Sequence, residues 1–189
     1  MRCHYYFIIQ LKIHLIIRNI LGTYKLLGDS GLNAIKHAIK SGYRLLDTAH
    51  VYKNEDLVGR AVRESIQDGT LKSRDEIYIT SKLHSGYHNP KCILDAVKHQ
   101  VNLLGLDYID LYLIHAPWGH KPKNFNFDLE TEAKENGDPI LEDFDHAKIW
   151  EELEKAVDLG PRLHVLIIFF RCNYLSLLIK TPKLSRFEI

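Results

Sequence analysis

The sequence predicts an α/β fold, a succession of strand and helix units around a parallel sheet, on three observations. Between residues 22 and 160, short β-branched runs alternate with longer amphipathic ones. Turn signals separate them: Ser41-Gly42, Asp68-Gly69, Asn89-Pro90, Gly105 and Gly160-Pro161. A chain of 189 residues that is 46% hydrophobic is enough for one core, so a single globular unit is expected.

In order, residues 30–41 carry Leu32, Ile35, Ala38 and Ile39 at helical spacing, and residues 43–49 then read as a strand. Residues 55–67 set Leu57, Val58, Ala61, Val62 and Ile66 on one helical face, followed by a strand over 76–83. Asn89-Pro90 opens a third helix whose apolar stripe is Ile93, Leu94, Val97, Val101 and Leu104, with Gly105 as its stop. Residues 108–115 form an almost unbroken apolar run, the pattern of a strand covered on both faces. The polar stretch 117–145 reads as a long loop, its charged run 130–135 in solvent. A fourth helix over about 145–159 follows from Ile149, Trp150, Leu153 and Val157. Beyond it, residues 163–170 are compatible with a buried strand and 173–189 have no clear pattern. The first 20 residues are likewise atypical.

Composition narrows the function classes. Twenty-five basic against twenty-four acidic residues give a net charge of +1, which argues against nucleic acid or an anionic membrane as partner. Three widely spaced cysteines, Cys3, Cys92 and Cys172, suit a reducing, cytoplasmic setting. The apolar first 20 residues are broken by Arg2, His4, Lys12, His14 and Arg18, and the run 165–170 stops at Arg171, so neither a signal peptide nor a membrane span is expected. His84 and His88 lack further ligands at metal spacing, so no metal is expected. Gly28-Asp29-Ser30-Gly31 lacks the dinucleotide-binding glycine fingerprint.

Four polar residues fall at or just beyond predicted strand ends, where barrel enzymes build their active sites: Asp47, Tyr52, Lys82 and His115. Singly each has an ordinary structural explanation, as a cap, a core aromatic, a solvated strand end or a structural histidine. Together they form a proton-transfer set. A tyrosine becomes a general acid near neutral pH when a cation lowers its pKa; Lys82 supplies that cation and Asp47 keeps the lysine charged. His115 is placed to orient a carbonyl.

The segments that carry these residues resemble successive aldo-keto reductase signatures. They are Leu-Gly-Thr-Tyr-Lys at 21–25, Gly-Tyr-Arg-Leu-Leu-Asp-Thr-Ala-His-Val-Tyr-Lys-Asn-Glu at 42–55, Ile-Thr-Ser-Lys-Leu at 79–83 and Leu-Gly-Leu-Asp-Tyr-Ile-Asp-Leu-Tyr-Leu-Ile-His at 104–115. The resemblance covers roughly residues 20–160 and implies a partial TIM (β/α)8 barrel of about four βα units, with at most a fifth strand, cut short before the barrel closes. It implies three segments: an atypical 1–20, a half barrel over 21–160 and a divergent tail over 161–189. It further implies reduction of aldehydes or ketones with NADPH, the catalytic set being Tyr52, Lys82, Asp47 and His115. Gly22, Thr23, Tyr24 and Asp47 would lie beside the nicotinamide end of the cofactor. Val51, His84, Ala116 and Trp118 would line the substrate pocket, with His84 and Ala116 standing where many members carry tryptophan.

A complete barrel needs about 250 residues, and the later family elements that clamp the cofactor find no match here. Three expectations follow: an NADPH-dependent reductase; a truncated, inactive fragment that acts as an interaction module, self-associating through open barrel edges; or a product without a stable fold of its own.

Overall fold

In the computed structural model, residues 19–122, 127 and 134–159 are described. A four-stranded parallel sheet in sequential order organises them: β1 (Ile20–Gly22), β2 (Leu45–Asp47), β3 (Tyr78–Leu83) and β4 (Leu111–Ile114). Three helices connect the strands, α1 (Gly28–Lys40), α2 (Glu55–Gln67) and α3 (Ile93–Leu104), and α4 (His146–Leu159) follows β4. This is the predicted alternation of strand and helix, and a partial (β/α) barrel. The expected strand over 163–170, the segment 1–18 and the tail 161–189 lie outside the described residues.

The predicted apolar stripes are the buried ones. Leu32, Ile35, Ala38 and Ile39 of α1, Val58, Ala61 and Val62 of α2, and Ile93, Val97 and Leu104 of α3 all lie in the core. α2 occupies the residues its spacing predicts. The strands are shorter than expected, three residues in β2 and four in β4, because parallel ladder bonds form only where a neighbouring strand runs alongside. Pro90 lies in a single 3₁₀ turn, Pro90–Cys92, ahead of α3, and Gly105 ends that helix at φ 58°, a left-handed conformation that costs glycine little.

Helices cover one face of the sheet. Tyr112 of β4 donates its hydroxyl proton to Gln100 of α3, which marks the helix side, so Leu111 and Leu113 point to the other face by the alternation of a strand. α2 and α3 approach closely at Gly59, where an added Cβ would sit 1.6 Å from the Leu104 carbonyl oxygen. Between β4 and α4 the expected loop contains two small antiparallel pairs. β5 (Gly119–His120) pairs with β8 (Leu141–Glu142), and β6 (Lys134–Glu135) pairs with β7 (Asp138–Pro139) across Asn136 and Gly137, both at positive φ. Asn-Gly is a strong hairpin signal that the bulk polarity of this stretch masks. Among the described residues, no helix is long and apolar enough to cross a membrane.

Candidate active site

The carboxyl rim of the sheet gathers the four polar residues singled out above. Asp47 is the last residue of β2, in register with Gly22 on one side and Thr80 on the other. Lys82 lies one residue before the end of β3, and His115 follows β4, its backbone N–H donating to the Leu83 carbonyl at 3.1 Å. Tyr52 ends a 3₁₀ turn, His50–Tyr52, in the loop after β2.

Lys82 joins them. Its ammonium donates to Asp47 Oδ1 at 2.8 Å, Asp47 Oδ2 at 2.7 Å and the Thr48 carbonyl at 2.8 Å. The same Nζ stands 5.0 Å from the centre of the Tyr52 ring. On the other side, the Tyr52 and His115 rings meet edge to face at 5.8 Å. The Lys82 side chain is only 11% exposed and that of Asp47 28%. Burial therefore draws the lysine below its ordinary range, against the opposing pull of Asp47 and, more weakly, Glu55. Burial also lowers His115, with Lys82 adding to the effect and Asp47 opposing it.

One expectation is corrected here. The Tyr52 phenol is not lowered by Lys82 but raised, first by burial and then by the negative charge of Asp47 and by Tyr24. The carboxylate beside Lys82 cancels much of the cation that was to act on the phenol.

The remaining rim residues divide by exposure. Tyr24, 62% exposed, stacks obliquely on Tyr52 at 5.1 Å between ring centres. Val51 and Trp118 are also exposed, and Ala116 is half-buried beside His115. Thr23 is buried and committed to structure: its N–H and hydroxyl both donate to the Asp47 carbonyl, at 2.9 and 3.1 Å. His84 is buried as well; its Nδ1 accepts from the Gly86 N–H at 3.0 Å, and its ring packs on Tyr87. Both are turned to local structure rather than to an open pocket. Gly22 lies on the open edge, where an added Cβ would meet no atom within 4 Å. Open backbone at Gly22 next to a partly exposed carboxylate is compatible with a flat polar ring lying across this rim, so the residues present fit the nicotinamide end of a dinucleotide.

Other chemistry is poorly served. Cys92 is buried and its thiol is pushed up to about 11 by that burial, which makes it unreactive. Among the described residues, no group of three or more His, Cys, Asp or Glu side chains could hold a metal ion.

Sequence reasoning passed over a buried polar cluster behind the rim, formed by His50, Glu55, Ser81 and Gln100. It also passed over Asn54, whose amide donates to the Thr23 and Leu26 carbonyls at 2.7 and 2.9 Å and accepts from the Thr48 hydroxyl at 2.9 Å. Asn54 and Glu55 stand where a helix begins, a place where such residues are ordinarily caps.

A parallel sheet with helices on one face and a polar constellation on its carboxyl rim defines the class of (β/α) barrel proteins. Within that class the chain belongs to the Aldo/keto reductase family, whose family model matches residues 20–172. It is 40% identical to dihydrodiol dehydrogenase 3 of Bos taurus over 157 residues, 83% of this chain and 47% of that protein. To 3-alpha-hydroxysteroid dehydrogenase of Rattus norvegicus it is 35% identical over 161 residues, 85% of this chain and 48% of that one. The solved structure of the aldose reductase from Schistosoma japonicum matches with a TM-score of 0.70 at 34% identity, covering 78% of this chain and 48% of that chain. The chain thus spans about half the length of these relatives.

Proposed function

We propose that this chain carries the proton-transfer half of an NADP(H)-dependent carbonyl reductase, acting on aldehydes or ketones. The convergence of Asp47, Lys82, Tyr52 and His115 on one rim is the observation that supports it. When bound, the nicotinamide cofactor supplies hydride; Gly22, Asp47 and Tyr24 would stand beside its nicotinamide end. Tyr52 holds its phenol proton through neutral pH, as a general acid must, and delivers it to the carbonyl oxygen. Lys82, fixed by Asp47, places a positive charge over the phenol ring and favours the phenolate left behind. His115, drawn below its ordinary range, stays neutral and holds the carbonyl oxygen by a hydrogen bond. The exposed apolar groups Tyr24, Val51 and Trp118 would favour an apolar substrate.

Consumption of NADPH by the purified chain, followed across a panel of aldehydes and ketones, tests this. Tyr52→Phe is expected to lower kcat/KM by about 10²- to 10⁴-fold. A folded wild-type chain that oxidises no NADPH with any carbonyl would overturn the proposal.

A further inference from the structure

On the helix side of β3, behind the rim, lies a buried carboxylate that the proposed chemistry leaves unused. Glu55, 3% exposed, is the first residue of α2. One carboxylate oxygen accepts from the Ser81 hydroxyl at 2.6 Å and from Gln100 Nε2 at 2.9 Å, and the other lies 3.1 Å from His50 Nδ1. Gln100 Nε2 also donates to the Lys82 carbonyl at 3.2 Å. Ser81 precedes Lys82 on β3, so its side chain leaves the strand on the opposite face.

Removing a carboxylate from water is costly, and a neutral amide at this position could accept the same Ser81 and Gln100 hydrogen bonds. The charge therefore needs a reason beyond hydrogen bonding. The start of α2 offsets part of the cost, since a helix N-terminus favours a negative group. The nearby cationic group with the most to gain is Lys82, which is itself largely buried and charged only by virtue of its neighbours.

We propose that Glu55 is a positioning residue for Lys82: its negative charge and its bonds to Ser81 and Gln100 hold the lysine ammonium in place from the far side of β3. The Lys82 ammonium then stands between two carboxylates, Asp47 in direct contact on the rim and Glu55 across the strand. The direction of the Lys82 shift agrees, because Glu55 acts with Asp47 against the effect of burial. This inference rests on the reading of Lys82 as the partner of Tyr52.

Titration of Lys82, followed by NMR of the lysine-labelled full chain, tests it. Glu55→Gln keeps the shape and removes the charge; the Lys82 midpoint is expected to fall by about half a pH unit or more, the scale of a partly screened charge across a strand. Ser81→Ala removes one bond and keeps the charge, and is expected to leave the midpoint in place, which separates charge from a merely structural role. An unchanged Lys82 midpoint in folded Glu55→Gln overturns the proposal. Should that variant fail to fold, the Glu55 carboxyl carbon in the wild-type chain decides: a carboxylate signal at neutral pH is required, and a protonated one overturns the proposal. A shifted Lys82 midpoint in a chain that reduces no carbonyl supports the role of Glu55 and overturns the reductase reading alone. An active chain with an unmoved midpoint does the reverse.

Discussion

Lys82 donates to three acceptors, two oxygens of Asp47 and the carbonyl of Thr48, which accounts for each N–H of an ammonium. It therefore acts on Tyr52 through its charge over the ring rather than by a hydrogen bond to the phenol. This division of roles has a pH signature. Lys82 is drawn below 10.5 and Tyr52 is raised above 10.0, so with rising pH the lysine cation is lost before the phenol proton. The alkaline limb of kcat/KM is expected to fall with the loss of Lys82⁺, and a profile flat through pH 10 would contradict it. Lys82→Met, which removes the cation and strands Asp47, is expected to cost about 10²-fold or more in kcat/KM under the same assay. The four rim residues were legible because strand ends can be read from periodicity, and a strand end is a position in space as well as in sequence. Glu55 and Gln100 were not, since an acid at a helix start and a glutamine within a helix are ordinarily solvated, and only the packing of α2 and α3 on β3 buries them.

Two elements carry predictions of their own. The turn after β3 and the return segment before α4 meet at His88, which is 7% exposed and edge to face with Phe144 at 4.3 Å between ring centres. Neither ring nitrogen of His88 has a hydrogen-bond partner among the described residues. Burial, with further repulsion from His146, His84, His120 and His115, lowers this histidine to about 3. Its unfolded value is near 6.5, so between these limits the unfolded chain binds more protons and stability falls as pH falls. Between pH 6.5 and 5 the loss is on the order of 2 kcal/mol, fully avoided above the unfolded value. Urea unfolding at the two pH values should show it, and His88→Leu should flatten the slope; an equal slope in the variant would refute the assignment. The second element is the α2–α3 contact. Gly59→Ala forces a methyl group against the Leu104 carbonyl, and a loss of about 1–3 kcal/mol is expected in the same unfolding experiment. At this scale the helices were legible from their stripes, whereas strand lengths depend on neighbours that no single segment encodes. The hairpin at Asn136-Gly137 was legible in its dipeptide and hidden by the polarity around it.

At the scale of the molecule, helices cover one face of the sheet, while Leu45, Tyr78, Leu111 and Leu113 on the other are half-buried. Among the described residues β1 and β4 each have a ladder neighbour on one side only. Such edges and apolar surface favour association, so sedimentation of the purified chain is expected to show mass rising with concentration; a strictly monomeric chain at all concentrations would contradict it. The order of strand and helix was legible because each unit repeats the same two periodicities. Which surface closes the inner face was not, because the residues 160–189 that follow α4 carry no pattern that assigns them to it. The side chain of Asn54 adds a constraint in time. Its three bonds reach across 6, 28 and 31 residues of chain, to Thr48, Leu26 and Thr23. Closing the longer spans costs entropy that only prior order at both ends can offset. Tyr24 thus comes to face Tyr52 only after β2 and the start of α2 have formed, and the rim is among the last parts of this sheet to be assembled as the chain folds.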